Sequence, residues 1–277
     1  MRWPKDWGTR TAVMGVINLT PDSFSDGGQF NQLDRGLAEA SRQIASGADC
    51  LDLGAQSTRP NSDEVGADEE LRRLLPTLRA IRAAHPKVLI SVDTFLAAVA
   101  NQALEAGADW INDISGGRRD SEMLPLIARA GCPFVLMHSR GTSRTMDRCT
   151  DYGEHGVVQG VLDELRVATN RAVETGVHRD QLIWDPGLGF AKTTEQNLML
   201  LQNLERLTSA GTPILLGPSR KRFIGAVLDE PRSKARLWGT AAVCCRAVAA
   251  GVAVVRVHDV QPIRQVVQMA ASVWPIR

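Results

Sequence analysis

The chain has 277 residues, 44% of them hydrophobic and 23% charged, with a formal net charge of +1. That balance belongs to a globular protein and argues against nucleic acid or an anionic membrane surface as partner, since both call for an excess of positive charge. No apolar run approaches the ~20 residues that span a bilayer, and five cysteines without a Cys-x-x-Cys pair argue against a disulfide framework or a zinc cage.

Short runs rich in Val, Ile and Leu alternate along the chain with longer stretches of helical periodicity. Met1 to Arg10 has no apolar core of a secretory signal, so a reducing cytoplasm is expected. The first apolar run, Ala12 to Ile17, precedes a helix predicted over Leu33 to Ser46, with Leu37, Ala40, Ile44 and Ala45 on one face and Gly47 as its stop. Cys50 to Leu53 precedes a helix over Glu69 to Ala84, which aligns Leu71, Leu74, Leu75, Leu78 and Ile81. Val88 to Val92 leads to a helix over Phe95 to Ala106, ended by Gly107, and the short run Trp110 to Ile111 to one over Met123 to Ala130, ended by Gly131. A glycine just past the last turn is a common helix cap. Phe134 to Met137, Leu182 to Trp184, Ile214 to Leu216 and Val252 to Val257 complete eight runs. Cys50 and Cys132, at strand starts, read as small buried hydrophobes.

The phrases Ser46-Gly47-Ala48-Asp49, Ala106-Gly107-Ala108-Asp109 and Ala250-Gly251-Val252 recur just before strands and suggest a repeated βα unit. Strands this apolar need cover on both faces, and eight βα units in this length predict an α/β fold, a (β/α)8 TIM barrel, as one domain over residues 1–277. The alternative, an open doubly wound sheet, lacks a Gly-x-Gly-x-x-Gly after its first strand.

Each apolar run gives way at once to polar residues: Asn18, Asp52 with the Gly54-to-Pro60 loop, Asp93, Asn112-Asp113, His138, Asp185, Ser219-Arg220-Lys221 and Arg256-Val257-His258. In such a barrel the carboxyl ends of the strands form one rim, where reactive groups collect. Carboxylates, amides and cations on a single rim suit a polar, anionic substrate. The first two strand-to-helix loops are long and without apolar periodicity, as binding loops often are.

Met14-Gly15-Val16-Ile17-Asn18-Leu19-Thr20-Pro21-Asp22-Ser23-Phe24-Ser25-Asp26-Gly27-Gly28, Ser57-Thr58-Arg59-Pro60, Ser91-Val92-Asp93-Thr94, Ile111-Asn112-Asp113, Asp185-Pro186-Gly187, Ser219-Arg220-Lys221 and Arg256-Val257-His258-Asp259-Val260 stand in this order along nearly the whole chain. Together they resemble the dihydropteroate synthase family of pterin-binding TIM barrels. The resemblance implies condensation of a dihydropterin methyl diphosphate with p-aminobenzoate, Mg²⁺ as cofactor, a homodimer joined through the last helices, and sensitivity to sulfonamides. It implies a pterin pocket in which Asp185 and Asn112 read the ring edge, Asp93 and Lys221 hold its other polar atoms, and Asp52 lies beneath. Asn18, Thr58, Arg59, Arg256 and His258 would hold the diphosphate, with Asn18 touching Mg²⁺. Ser57, Thr58, Pro60, Phe190 and Ser219 would hold p-aminobenzoate, and Asp93, Lys221, Arg256 and His258 would carry the chemistry.

Other residues have plainer roles in the sequence. Asp113 reads as a helix N-cap, His138 as structural or as support behind the site, and His85, His155 and His178 as solvated. Two stretches depart from the family pattern: Ala55-Gln56 where many relatives have Gly-Glu, and His138-Ser139-Arg140-Gly141 after the fifth strand. A pterin-binding methyltransferase or a barrel without turnover are the rival readings. The intact first-loop motif, Lys221 and Arg256 speak against both.

Overall fold

The structure is a computed structural model and describes residues 1–20, 29–56 and 64–274. Its elements are β1 (Ala12–Asn18), α1 (Gln29–Ala45), β2 (Cys50–Gly54), α2 (Ala67–Ala84), β3 (Leu89–Asp93), α3 (Ala97–Glu105), β4 (Trp110–Asp113), α4 (Met123–Ala130), β5 (Phe134–Met137), α5 (Gly156–Glu174), β6 (Leu182–Asp185), α6 (Thr194–Gln202), α7 (Leu204–Thr208), β7 (Leu215–Leu216), α8 (Arg222–Leu228), α9 (Leu237–Ala249), β8 (Val254–Val257) and α10 (Val260–Val273). The eight strands pair in parallel in the order β6-β5-β4-β3-β2-β1-β8-β7, and a bridge between Trp184 and Ile214 joins β6 to β7. The ring so formed is the (β/α)8 barrel expected from the alternation.

The recurring turn is real and has a function in the fold. Gly47, Gly107 and Gly251 all take left-handed φ, at 87°, 104° and 76°, where a Cβ would be strained. In the first two turns the aspartate two residues on caps the neighbouring strand: Asp49 Oδ2 accepts from Val13 N and Asp109 Oδ2 from Ile90 N, each at 2.9 Å. Arginines neutralise both carboxylates, Arg10 at Asp49 and Arg82 at Asp109, each at 2.6 Å.

Element ends differ modestly from expectation. α4 and its left-handed cap Gly131 fall where predicted. α1 begins earlier, at Gln29, and Ala45 turns outward to solvent. β7 is shorter than its apolar run: Ile214 meets Trp184 by an isolated bridge, and the carbonyl of Pro213, just before it, accepts from Trp184 N at 2.8 Å.

Strand period two sorts the core into two sets. Val13, Leu51, Ile90, Ile111, Phe134, Leu182, Leu216 and Val255 belong to the large cluster that packs with the helices. Ala12, Met14, Cys50, Leu89, Trp110, Val135, Ile183, Leu215 and Val254 form a second, separate cluster inside the ring. Trp3 and Trp7 of the amino-terminal segment pack against this inner cluster. They stack on each other with ring centroids 4.6 Å apart and meet Trp110 edge-on at 5.4 and 6.0 Å, which plugs the bottom of the barrel. Two residues farther along the same strands the inward positions turn polar: Asp52 after Cys50, Ser91 after Leu89, Asn112 after Trp110, Asp185 after Ile183, Arg256 after Val254.

Candidate active site

The strand register brings the polar ends together. Asn18 pairs with Gly54, Gly54 with Asp93, and Asp93 with Asn112, so the four stand in a row across β1 to β4. Across the ring, Asp185 ends β6 beside Met137, and Arg256 on β8 pairs with Met14 of β1.

Arg256 organises the centre. Its Nε donates to Asp52 Oδ2 at 2.6 Å and its Nη2 to Asp93 Oδ2 at 2.9 Å. Asn112 Nδ2 donates to the same Asp52 oxygen at 3.2 Å. Asp52 is fully buried, and its Oδ1 has no hydrogen-bond partner, nor has the neighbouring Ser91 Oγ. Unpaired buried polar atoms are costly, so this floor is strained toward further polar partners. Burial pushes the Asp93 carboxyl up to about 7 in spite of Arg256, with Asp52 and Glu70 adding to the rise. Asp185 is also raised by burial, although its Oδ1 accepts from Gly187 N at 2.7 Å. Burial opposes the Arg256 charge, but Asp52 and Asp93 prevail and hold its pKa above the ordinary arginine value.

Lys221 closes the pocket from the loop before α8. Burial lowers its pKa to about 8, opposed by Asp185, and its Nζ sits 4.3 Å from the centre of the Phe190 ring, a cation–π contact. Asp93, Asn112, Asp185, Lys221 and Arg256 line one cleft, with Ile114, Met137, Leu188 and Phe190 as apolar walls. Phe190 and Ile114 also border a neighbouring cleft between Phe95, Arg118, Arg119 and Arg140.

His258 lies beyond Arg256. Its backbone N donates to Ser219 Oγ at 3.2 Å, and its Nδ1 lies 2.9 Å from that oxygen. Burial, Arg220 and Arg256 push the imidazole down to about 3, so it is neutral at physiological pH. Ser219 Oγ accepts from the backbone N–H and shares a second hydrogen bond with Nδ1, whose direction follows the imidazole tautomer. Arg220, at a left-handed φ of 61°, pairs with Asp259 at 2.7 Å.

Of the expected residues, Asp52, Asp93, Asn112, Asp185, Phe190, Lys221 and Arg256 therefore meet in one place, and Ser219 and His258 meet beside it. Asn18 is half-buried at the end of β1. Ser57, Thr58, Arg59 and Pro60, and the motif from Pro21 to Gly28, lie outside the described residues. Asp113 is not a helix N-cap: its oxygens accept from Ser115 N at 2.6 Å and Gly117 N at 2.8 Å, capping a turn, while α4 starts after Glu122. His155 and His178 are exposed as expected, but His85 is half-buried with Nε2 2.7 Å from Ser41 Oγ. Cys50 and Cys132 are buried and free.

Two buried groups escaped the sequence. Glu70 on α2, pushed up to about 7 by burial, reads in sequence as one of several acids favouring a helix start. Lys192 belongs to none of the motifs singled out in the sequence, yet it is buried beneath the segment after β6. Its only sequence cue is its place two residues after Phe190.

Comparison with known proteins agrees with this layout. The model of the pterin binding enzyme family matches residues 14–258. A dihydropteroate synthase of Synechocystis is 48% identical over 273 residues, 97% of this chain and 92% of that protein. The crystal structure of a dihydropteroate synthase from Clostridium difficile, in the presence of pteroic acid, superposes with a TM-score of 0.92 at 39% identity, covering 98% of this chain and 99% of that one. One from Xanthomonas albilineans with 4-aminobenzoic acid gives 0.90 at 36% identity, over 98% of this chain and 95% of that one. Shared motifs, a shared barrel and likeness over almost every residue converge: the chain belongs to the pterin-binding enzyme family, in its dihydropteroate synthase branch.

Proposed function

We infer that this chain is a dihydropteroate synthase, which joins (7,8-dihydropterin-6-yl)methyl diphosphate to p-aminobenzoate and releases 7,8-dihydropteroate and diphosphate. The observation that carries the reading is the buried set of Asp93, Asn112, Asp185, Lys221 and Arg256 at the mouth of a barrel of this family. A pterin edge presents adjacent N–H donors beside ring acceptors. The free Asp185 oxygen suits two donors, and Asn112, with one N–H spent on Asp52, still offers a donor and an acceptor. Such a site rejects analogues that leave its buried groups unpaired.

In the reaction the arylamine nitrogen bonds to the pterin methylene, the carbon–oxygen bond to diphosphate breaks, and the amine loses a proton. Because an arylamine is a weak nucleophile, stabilising the leaving group is the main task. We assign the Nε2–H tautomer to neutral His258, so that it and Arg256 donate to the departing diphosphate, and Lys221 adds charge from the opposite wall. Asp93, beside the ring, offsets positive charge developing on the pterin. The Phe190 ring is one wall for the p-aminobenzoate ring; we assign Ser219, Ser57, Thr58 and Pro60 to contacts with p-aminobenzoate, and Thr58 and Arg59 to the diphosphate.

We also propose Mg²⁺ as cofactor. Among the described residues no cluster of three or more His, Cys, Asp or Glu could hold a metal by itself. The single amide oxygen of Asn18 at the rim fits a cation that keeps water and takes its other ligands from the substrate phosphates. When bound, it supplies neutralisation of diphosphate charge.

We propose a homodimer joined through the last helices: α8, α9 and α10 expose Val227, Leu228, Trp238, Met269 and Val273, with Trp238 76% exposed. Sedimentation of the Trp238→Glu variant as a monomer, against a wild-type dimer, tests this. The cytoplasm is the proposed compartment, in keeping with five free cysteines. No described helix is long and apolar enough to cross a membrane.

The enzymatic reading is tested by diphosphate release from the pterin substrate. Release that needs p-aminobenzoate and Mg²⁺, and that is lost in Arg256→Ala, supports it. Pterin binding without release overturns it.

A further inference from the structure

Lys192 is 9% exposed. Its ammonium has three N–H donors and three neutral acceptors: Gly187 O at 3.1 Å, Phe190 O at 3.0 Å and His138 Nδ1 at 3.0 Å. Two of these are backbone carbonyls of the segment between β6 and α6, which carries the ligands of the reaction. On the other side of Gly187, its N–H is held by Asp185 Oδ1 at 2.7 Å. Phe190 supports Lys221, whose Nζ stands over its ring. The segment turns through left-handed φ at Gly187, Gly189 and Ala191, a shape that needs external support at a non-glycine position. It also lies directly on β5, since a Cβ on Gly187 would come within 1.9 Å of His138 O.

His138 transmits the hold outward. Burial and the Lys192 charge push its pKa down to about 4, so the ring is neutral, with Nδ1 as acceptor for Lys192 and Nε2–H donating to Glu164 Oε2 at 3.1 Å. Burial works against the Glu164 charge, yet the hydrogen bonds from His138 and Arg140 hold it at about 2.

We propose that Lys192 is a positioning residue of the synthase: its ammonium, backed by His138 and Glu164, holds the Gly187 and Phe190 carbonyls and thereby sets the Asp185 carboxylate and the Phe190 wall. The proposal rests on the synthase reading and adds a residue that touches neither substrate.

The charged and titratable groups around Lys192 are His138, Asp185, Glu164, Arg140 and Lys221. Burial lowers its pKa to about 7, with Asp185 and Glu164 working to raise it. The clamp is therefore complete below that pH and loses one of its three donors above it. Glu164 acts on Lys192 but is not among the groups that shift Lys221. It is also on the far side of His138 from the substrates, with its side chain 36% exposed.

The test is diphosphate release between pH 5.5 and 9 for wild type, Glu164→Gln and Lys192→Met, with thermal unfolding followed in parallel. Wild type is expected to lose kcat/KM along an alkaline limb, and Glu164→Gln to move that limb down by about half a unit. Lys192→Met is expected to keep its fold, raise KM for p-aminobenzoate about tenfold, the scale of losing charge-assisted hydrogen bonds, and leave only the later part of the limb, which Lys221 sets near pH 8. A limb unmoved in Glu164→Gln, or unchanged constants in folded Lys192→Met, overturns the proposal. So does a uniform loss of affinity for both substrates that only tracks falling stability. Should Lys192→Met not fold, the Glu164→Gln limb decides alone. Absence of turnover in wild type sinks the synthase reading and this inference with it; wild-type turnover with the limb unmoved sinks the inference only.

Discussion

The bottom and the top of the barrel interior are built from the same strands, two residues apart. At the bottom, Met14, Cys50, Leu89, Trp110, Ile183 and Val254 close on one another under Trp3 and Trp7. At the top, Asp52, Ser91, Asn112, Asp185 and Arg256 occupy the next inward positions, and Asp52 Oδ1 and Ser91 Oγ are left unpaired. The lower layer stabilises by apolar burial, about 25 cal/mol per Å². The upper layer costs stability through desolvated charge: Asp93, Asp185 and Lys221, with Glu70 on the covering helix α2, are shifted toward their neutral forms. One fold thus places its strain where a polar ligand can relieve it and its reinforcement at the opposite end.

Four substitutions test that division, in order of expected effect. Lys221→Met should lower kcat/KM by about 10²–10³-fold, the scale of losing one electrostatic stabiliser of the transition state. Its stability should hold or rise. The pKa of Lys221 is lowered by burial to about 8, so the wild-type penalty is complete below pH 8 and fades as pH climbs toward 10.5. Melting curves at pH 7 and 10 should therefore show the gain only at pH 7; a clear loss of stability at both would break the comparison.

Trp110→Ala is the converse. It should cost about 3–5 kcal/mol, as large aromatic truncations in cores do, or roughly 10 °C in Tm for a domain of this size. The kcat and KM of the protein that remains folded should not change, because the substrate layer lies above. Coupled losses in rate and stability would mean that the two layers are not separable.

Glu70→Gln sharpens the account of the upper end. Glu70 Oε1 has no partner, and burial raises its pKa to about 7. A raised carboxyl lowers wild-type stability as pH climbs from about 4.5 to 7. The variant should match wild type near pH 4 and be more stable by roughly 2 kcal/mol at pH 8, read from denaturant unfolding at the two values. Ser219→Ala should have the smallest effect. It removes the hydroxyl that holds His258 N and Nδ1, and less than about a tenfold loss of kcat is expected, the scale of one neutral hydrogen bond. A loss as large as that of Lys221→Met would show that the placing of His258 matters as much as the Lys221 charge.

Much of this was legible in the chain. The apolar runs and glycine stops gave the barrel, because a buried strand and a covering helix each impose their own period. Residues immediately after or near the ends of those runs were legible as site residues because parallel strands bring all their carboxyl ends to one rim; Asp93, Asn112, Asp185 and Arg256 are of this kind. Asp113 misled because an aspartate before a helix and an aspartate before a tight turn look alike. Its two acceptors bind N–H groups two and four residues on, well short of α4.

The sequence by itself determined the periodicities, the turn glycines and the types of residue placed at the strand ends, since these depend on contacts local in the chain. Only the tertiary structure decided which charges would share a site. Arg256 reaches Asp52 across 204 residues and Asp93 across 163, and Lys192 meets His138 across 54. Whether a lysine is solvated or clamped beneath a loop depends on what the closed barrel packs around it. Burial and charge pairing are properties of the assembled ring, because desolvation is set by every neighbouring strand at once and by no segment alone.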